Sequence, residues 1–297
     1  MERSDSAILM KKIQLTQKKW LQRFLRGSFW HSMGLIFSRA LNLVLGFVLA
    51  RMLGKQGFGT YGFFQTSVQK ASAIAGLGLG LATTKHVAEF RSNPTRLGGV
   101  VTLAMLFVFV GGSSIGALMY LNADAIALRF DSKIDPPYVQ LAGVTVLFAV
   151  VTLVFANVMS GLEAFRRNML VQLCSSLVTF GLVVGAANWY GIDGAIKGLL
   201  LSLVFSASLY TAVVLYTLVQ LKTVFSIKNA IAERSIILHY SMPSFLSGIV
   251  VVITDWIAES MVIIHAGFAT YGLYVAANQF SMVITSLNGM FGATYNP

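Results

Sequence analysis

Charge is what this sequence has least of. Of its 297 residues only 11% are Asp, Glu, Lys or Arg, while 56% are hydrophobic and the mean hydropathy is +0.73. A soluble globular domain carries about 25% charged residues, so the composition excludes one and indicates an integral membrane protein. Cysteine is almost missing: the single Cys174 rules out an internal disulfide and, lying in an apolar run, reads as a small packing residue. Acidic residues are half as numerous as basic ones, 11 against 22, for a net charge of +11. In a soluble protein that excess would suggest nucleic acid. Here the basic residues fall mostly in alternating loops, so membrane topology explains them and no nucleic-acid partner is expected. The four histidines (His31, His86, His239, His265) lack metal-ligand spacing, and neither metal nor cofactor is expected. No phosphate-cradling P-loop is present, which excludes an ATP-driven pump acting by itself. The run Gly76-Leu77-Gly78-Leu79-Gly80 is not a dinucleotide fingerprint, because it sits inside an apolar segment without a preceding strand or an acidic partner. It reads as small-residue helix packing or a flexible point in a membrane helix.

What the sequence has is long apolar segments. A spanning helix needs about 20 mostly apolar residues. Eight segments qualify, at 28–50, 60–83, 99–121, 139–160, 169–189, 195–220, 241–265 and 271–295. The fold class is therefore all-α integral membrane. Lys and Arg concentrate on one side of these spans. Fifteen lie in residues 1–27, 84–98, 161–168 and 222–240, and five in the opposite loops (Arg51, Lys55, Arg129, Lys133, Lys197). This bias predicts a cytoplasmic N-terminus. The basic 1–27 segment is not a signal peptide, since the apolar region after it is too long and contains Arg39. Trp20, Leu21, Phe24 and Leu25 recur at helical spacing among Lys18, Lys19, Arg23 and Arg26, which suits either a helix on an anionic leaflet or a disordered basic tail. The loop 122–137, with Asp124, Asp131 and Asp135 beside Arg129 and Lys133, reads as a solvated connector.

The first hairpin is written twice. Ser28-Phe29 opens a span that leads to Phe58-Gly59-Thr60-Tyr61-Gly62, and Ser244-Phe245 opens one that leads to Phe268-Ala269-Thr270-Tyr271-Gly272. In this register Arg39 corresponds to Asp255. Repeats with charges at the membrane midplane are a mark of transporters. Gly34, Ser38, Asn42 and Gly46 form a small and polar stripe beside Arg39, open to reading as a packing seam or a cavity wall. Arginine near mid-helix costs about 2.5–3.5 kcal/mol on insertion scales, so Arg39 is expected to face a cavity or a partner. Gln65, Gln69, Ser72, Gly76 and Gly80 make a second stripe, with Lys70 adjacent and able either to line a cavity or to snorkel. Asp255 and Glu259 are one helical turn apart on one face. Two like charges in a poorly solvated place resist joint ionisation, which makes them a candidate proton or cation coupling site. Ion pairs with Arg39 or Lys70 that only steady helix packing are the alternative. Pro243 can be a first-turn residue or permit a bend.

Ser38-Arg39, Leu49-Ala50-Arg51, Leu53-Gly54 and Phe58-Gly59-x-Tyr61-Gly62 together resemble the N-terminal signature of bacterial polysaccharide flippases, including O-antigen translocases. So do Gly76-Leu77-Gly78-Leu79-Gly80 and Gly161-x-x-x-Phe165-Arg166-Arg167. These proteins belong to the multidrug/oligosaccharidyl-lipid/polysaccharide flippase superfamily. The resemblance implies two six-helix lobes around a central cavity. It also implies transport of a polyprenyl-diphosphate-linked oligosaccharide across the bacterial inner membrane by alternating access, for polysaccharide or lipopolysaccharide biosynthesis. Expected partners are that lipid-linked oligosaccharide, membrane lipids and the polysaccharide assembly machinery. Arg39, Asn42 and Lys70 are the candidate substrate residues, since a diphosphate needs cationic partners, and Asp255 and Glu259 the candidate ion-coupling pair. With eight spans, the chain corresponds to a basic tail (1–27), a six-helix lobe (28–221), a basic linker (222–240) and the first two helices of a second lobe (241–297). It is expected to be a C-terminally truncated member. No enzymatic activity is expected. The rival readings are a cation-coupled multidrug antiporter of the same superfamily, a membrane glycosyltransferase or polymerase, and an inactive fragment or assembly subunit.

Overall fold

A computed structural model describes the backbone of residues 2–76, 78–130 and 134–295. Side chains are described within these ranges except at 2–32, 81, 234–240, 244 and 282–295. The described chain is helical between short turns. The helices are α1 (Glu2–Ala75), α2 (Leu79–Glu89), α3 (Pro94–Leu121), α4 (Ala123–Arg129), α5 (Pro136–Gly161), α6 (Phe165–Gln220) and α7 (Ile227–Tyr295). Five stretches are long and apolar enough to cross a membrane, and three of these belong to helices broken by one glycine. Gly54 breaks α1, Gly191 breaks α6 and Gly267 breaks α7, all at positive φ. Each of these three helices thereby supplies two spans, and with α3 and α5 the total is the eight expected from hydropathy. The integral membrane, all-α class is borne out.

Local chemistry sets the boundaries. Asn93 caps α3, its side-chain oxygen accepting from the Thr95 and Arg96 amides at 3.2 Å, and Pro94 occupies the first turn. Pro136 opens α5 in the same way after an extended Asp135. The second span ends as α1 at Ala75 and resumes as α2 at Leu79, with Gly78 left-handed just before it. The glycine run is thus a break in a membrane helix, and the helical chain carries on to Glu89 rather than ending near 83.

Four expectations need adjustment. The 122–137 loop is a solvated connector only in part, with Asp124, Arg129 and Asp135 exposed as expected. Ala123 and Ala127, together with Phe130 and Ile134, are buried in the core, because small and apolar side chains at helical spacing let α4 lie against the bundle. Of the two readings of the N-terminal segment, the helical one stands, but the helix runs from Glu2 into the first span and is not a short separate one. Residues 222–240 are an irregular linker only as far as 226, since α7 starts at Ile227. Pro243 lies inside α7 and is not a first-turn residue.

Three apolar clusters hold the bundle, the smallest joining α1, α3 and α5 through Ala75, Ala104 and Val150. Of the larger two, one joins α1, α4, α5, α6 and α7 around Phe63, whose ring meets Phe130 at 5.1 Å, Phe268 at 6.0 Å and Tyr271 at 6.1 Å edge-on. The other joins α2, α3, α5 and α6 through Val87, Leu97, Val158 and Leu218. Lipid is as apolar as these side chains, so helices in a membrane associate chiefly by close packing. Gly116 of α3 and Gly143 of α5 meet face to face, and a methyl on either would reach the other's carbonyl.

Candidate functional site

The site forms where the second half of α1 meets α7. At Gly59 the backbones approach so closely that an added Cβ would overlap the Phe268 carbonyl, and Gly272 stands equally close to Lys55. The repeated turn motifs therefore pack on one another. Thr66 Oγ1 lies 3.1 Å from the Tyr271 hydroxyl across the same interface. One turn further along α1, Lys70 Nζ is 2.8 Å from Glu259 Oε2 of α7, with the two side chains 17% and 6% exposed. The two opposite charges compensate each other, and the Tyr271 hydroxyl also interacts with the Glu259 carboxylate. A pair this buried adds little net stability compared with a well-packed apolar pair, but losing one member is costly.

Cavities open on both sides of this pair. One, of about 210 Å³, is lined by Arg39, Asn42, Gln65, Gln69, Glu259, Tyr271, Tyr274, Asn278 and Gln279. The other, of about 240 Å³, is almost wholly apolar, walled by Phe63, Phe64, Ile115, Met119 and Trp256, with Lys70 as its one charged lining residue. Glu259 thus borders the polar cavity and Lys70 the apolar one.

Helical spacing puts these groups together. Gln65 and Gln69, and likewise Thr66 and Lys70, are four residues apart on α1, while Tyr274 and Asn278 are four apart on α7. Of the expected substrate residues, Arg39 and Asn42 share the polar cavity, and Lys70 stands behind it against Glu259. Of the expected coupling pair, Glu259 is buried at the site, whereas Asp255 is exposed one turn away and does not line the polar cavity. The Lys70–Glu259 contact is one of the ion pairs that the sequence offered as an alternative to a coupling site. The small stripe of the first span divides. Gly34 abuts Gln172 and Ser38 accepts from Ser176 at 2.9 Å, so both form a seam with α6. Gly46 leaves room for Gln279, and Asn42 faces the cavity. Sequence reading missed Tyr271, Tyr274, Asn278 and Gln279. Their signal was present, two amides within an apolar span, but it became meaningful only once α7 was placed against α1.

The likeness to known proteins agrees with this geometry. Residues 24–296 match the profile of the polysaccharide biosynthesis protein family. The lipid III flippases of Escherichia coli (strain K12) and Shigella flexneri are each 27% identical over 185 residues, covering 59% of this chain and 42% of the relative. An outward-facing multidrug resistance MATE family transporter of the MOP superfamily superposes with a TM-score of 0.70 at 19% identity, covering 90% of this chain and 62% of the other. Its inward-facing counterpart gives 0.61 at 20%, covering 85% and 60%. At these identities the structural likeness is one of fold. The chain spans about two-fifths of the length of the curated relatives and about three-fifths of these solved structures. A helical membrane bundle with a polar cavity between α1 and α7, matched along nearly its whole length, this chain belongs to the polysaccharide biosynthesis protein family.

Proposed function

We propose that the protein acts in a flippase for a polyprenyl-diphosphate-linked oligosaccharide, serving polysaccharide or lipopolysaccharide biosynthesis. The observation that carries this is the polar cavity presenting Arg39 and Asn42 in a member of this family. A diphosphate is bound well by a guanidinium, which offers paired donors. The Gln65, Gln69, Asn278 and Gln279 amides suit sugar hydroxyls, as donors and acceptors both. On this reading the protein sits in the bacterial inner membrane with its N-terminus in the cytoplasm, in keeping with the fifteen-to-five bias of basic residues. Residues 28–221 form one lobe and 241–297 begin a second, with the polysaccharide assembly machinery as membrane neighbours.

Alternating access needs contacts between the lobes that open in one state. The Lys70–Glu259 pair is such a contact. An incoming diphosphate draws on the cationic side of the site, Arg39 and Lys70. Glu259, once separated from Lys70, is then left to take up a proton or cation, with Asp255 one turn away. Cargo and ion are thereby linked reciprocally. The test is lipid-linked glycan reaching the outer leaflet in a strain without its own flippase that expresses this protein. Arg39→Ala is expected to abolish export and Arg39→Lys to retain part of it. Normal export by Arg39→Ala would overturn the assignment.

A second reading, a cation-coupled antiporter for small organic molecules, draws on the apolar cavity with Trp256 on its wall. Efflux of a hydrophobic cation that requires Glu259 but not Arg39 would favour it.

A further inference from the structure

At the end of the bundle away from α4, three arginines share a cavity that the transport reading does not use. Arg91 follows α2, and Arg166 and Arg167 start α6. The cavity, of about 370 Å³, is completed by Glu163, Thr217 and Gln220. Its lining carries three positive charges and one negative. Arg91 Nη1 donates to Glu163 Oε2 at 2.6 Å. Arg167 is held by neutral groups: Nη1 donates to Thr217 Oγ1 and Nη2 to Gln220 Oε1, each at 2.9 Å, and its guanidinium lies 5.4 Å from the centre of the Tyr216 ring. Its charge is fixed in place and forms no ion pair among the described residues. The cavity is open to solvent, with the Arg91 side chain 45% exposed.

What lies next to the cavity identifies the ligand. Leu170 stands one turn beyond Arg166 on the same face of α6, and Tyr216 one turn before Gln220 on the returning half. Both are exposed, at 47% and 60%. A small soluble anion would need only the arginines. Here exposed apolar side chains stand one turn from the basic cavity on both halves of α6, an arrangement suited to an amphiphile. The geometry points to a binding site for an anionic phospholipid, with the phosphate among Arg91, Arg166 and Arg167 and an acyl chain along Leu170 and Tyr216. On the proposed orientation the lipid comes from the cytoplasmic leaflet, where juxtamembrane basic pockets meet acidic headgroups. The site lies outside the Arg39 cavity and takes a resident lipid rather than the cargo.

The test is thermal unfolding of the purified protein in nonionic detergent, titrated with phosphatidylglycerol, with phosphatidylcholine of the same acyl chains, or with inorganic phosphate. Phosphatidylglycerol should raise the midpoint and the other two should not. Arg166→Gln should weaken the phosphatidylglycerol response about fivefold in apparent affinity, the effect of one basic residue near an anionic membrane surface. Arg91→Gln, on a separate segment, should do likewise, so the result does not rest on one variant folding well. Lys228→Gln, an exposed charge outside the cavity, should keep the full response. Arg39→Ala should keep it as well, which separates this site from the transport site. An equal response to phosphatidylcholine, an equal response to inorganic phosphate, or an unchanged response in both arginine variants would overturn the assignment.

Discussion

Single residues show how much of the site could be read from the sequence. Arg39 and Asn42 were legible because polar groups are costly in an apolar span. Lys70 and Glu259 were each legible for the same reason, and an ion pair with Lys70 was among the readings; which carboxylate takes Lys70 was not legible, because it depends on how α7 lies against α1. The pair makes a quantitative prediction. Lys70→Met or Glu259→Leu alone leaves a buried charge and should cost about 3–5 kcal/mol, whereas the double variant should come much closer to the parent. A double-mutant cycle on thermal unfolding measures this, and simple additivity would show that the two residues do not compensate each other. Two other residues adopt backbone conformations that a side chain disfavours. Glu163 and Lys222 have φ of 52° and 53°, each just after the end of a long helix. In both cases the next two amides return to the last turn. Glu163 and Ala164 donate to Ser160 and Met159, and Lys222 and Thr223 donate to Val219 and Leu218. Glycine is usual at such a position. Lys222→Gly should therefore stabilise the protein by about 1 kcal/mol, the cost of a left-handed residue carrying a Cβ; a lowered unfolding midpoint would refute this.

At the scale of helices, the spans were legible because each is long and apolar. α4 was not, since seven residues are too few to show a period and its charged neighbours suggested solvent. The break positions were only partly legible. The repeated motif aligns Gly57 with Gly267, yet the first hairpin bends at Gly54, about one turn earlier. The repeated motif does not place the bend, since Gly54 and Gly57 are both available. Close helix approach gives a paired prediction. At Gly98 of α3 a methyl would overlap the Val224 carbonyl, on the strand of chain whose amide is bonded to Pro94 at 3.2 Å. Gly98→Ala should cost about 1–3 kcal/mol by overpacking. Gly185 of α6 has nothing near it, so Gly185→Ala should stabilise by up to about 1 kcal/mol through helix propensity. Similar effects from the two substitutions, read by thermal unfolding, would contradict the packing described for α3.

For the whole molecule, the orientation proposed from charge bias is open to direct measurement. With the exposed Cys174 replaced by alanine, a cysteine at Asn122 should react with an impermeant reagent in intact cells. One at Lys228 should react only after permeabilisation, and the reverse pattern would invert the topology. The two ends of the first half of α6, before its bend, carry different anchors. Arg166 and Arg167 begin it, and Trp189 and Tyr190, 79% and 71% exposed, stand just before its bend at Gly191. Arginines and exposed aromatics both settle at membrane–water interfaces. The 22 residues from Arg167 to Trp189 rise roughly 33 Å along a helix, a little more than the roughly 30 Å of an average hydrocarbon core. That spacing makes α6 a gauge of bilayer thickness. In membranes of shorter acyl chains the helix must tilt to keep both anchors at their surfaces, and the bundle packed on it must tilt as well. Lipid chain length would then act on the protein as a mechanical input, independent of headgroup, cargo or ion.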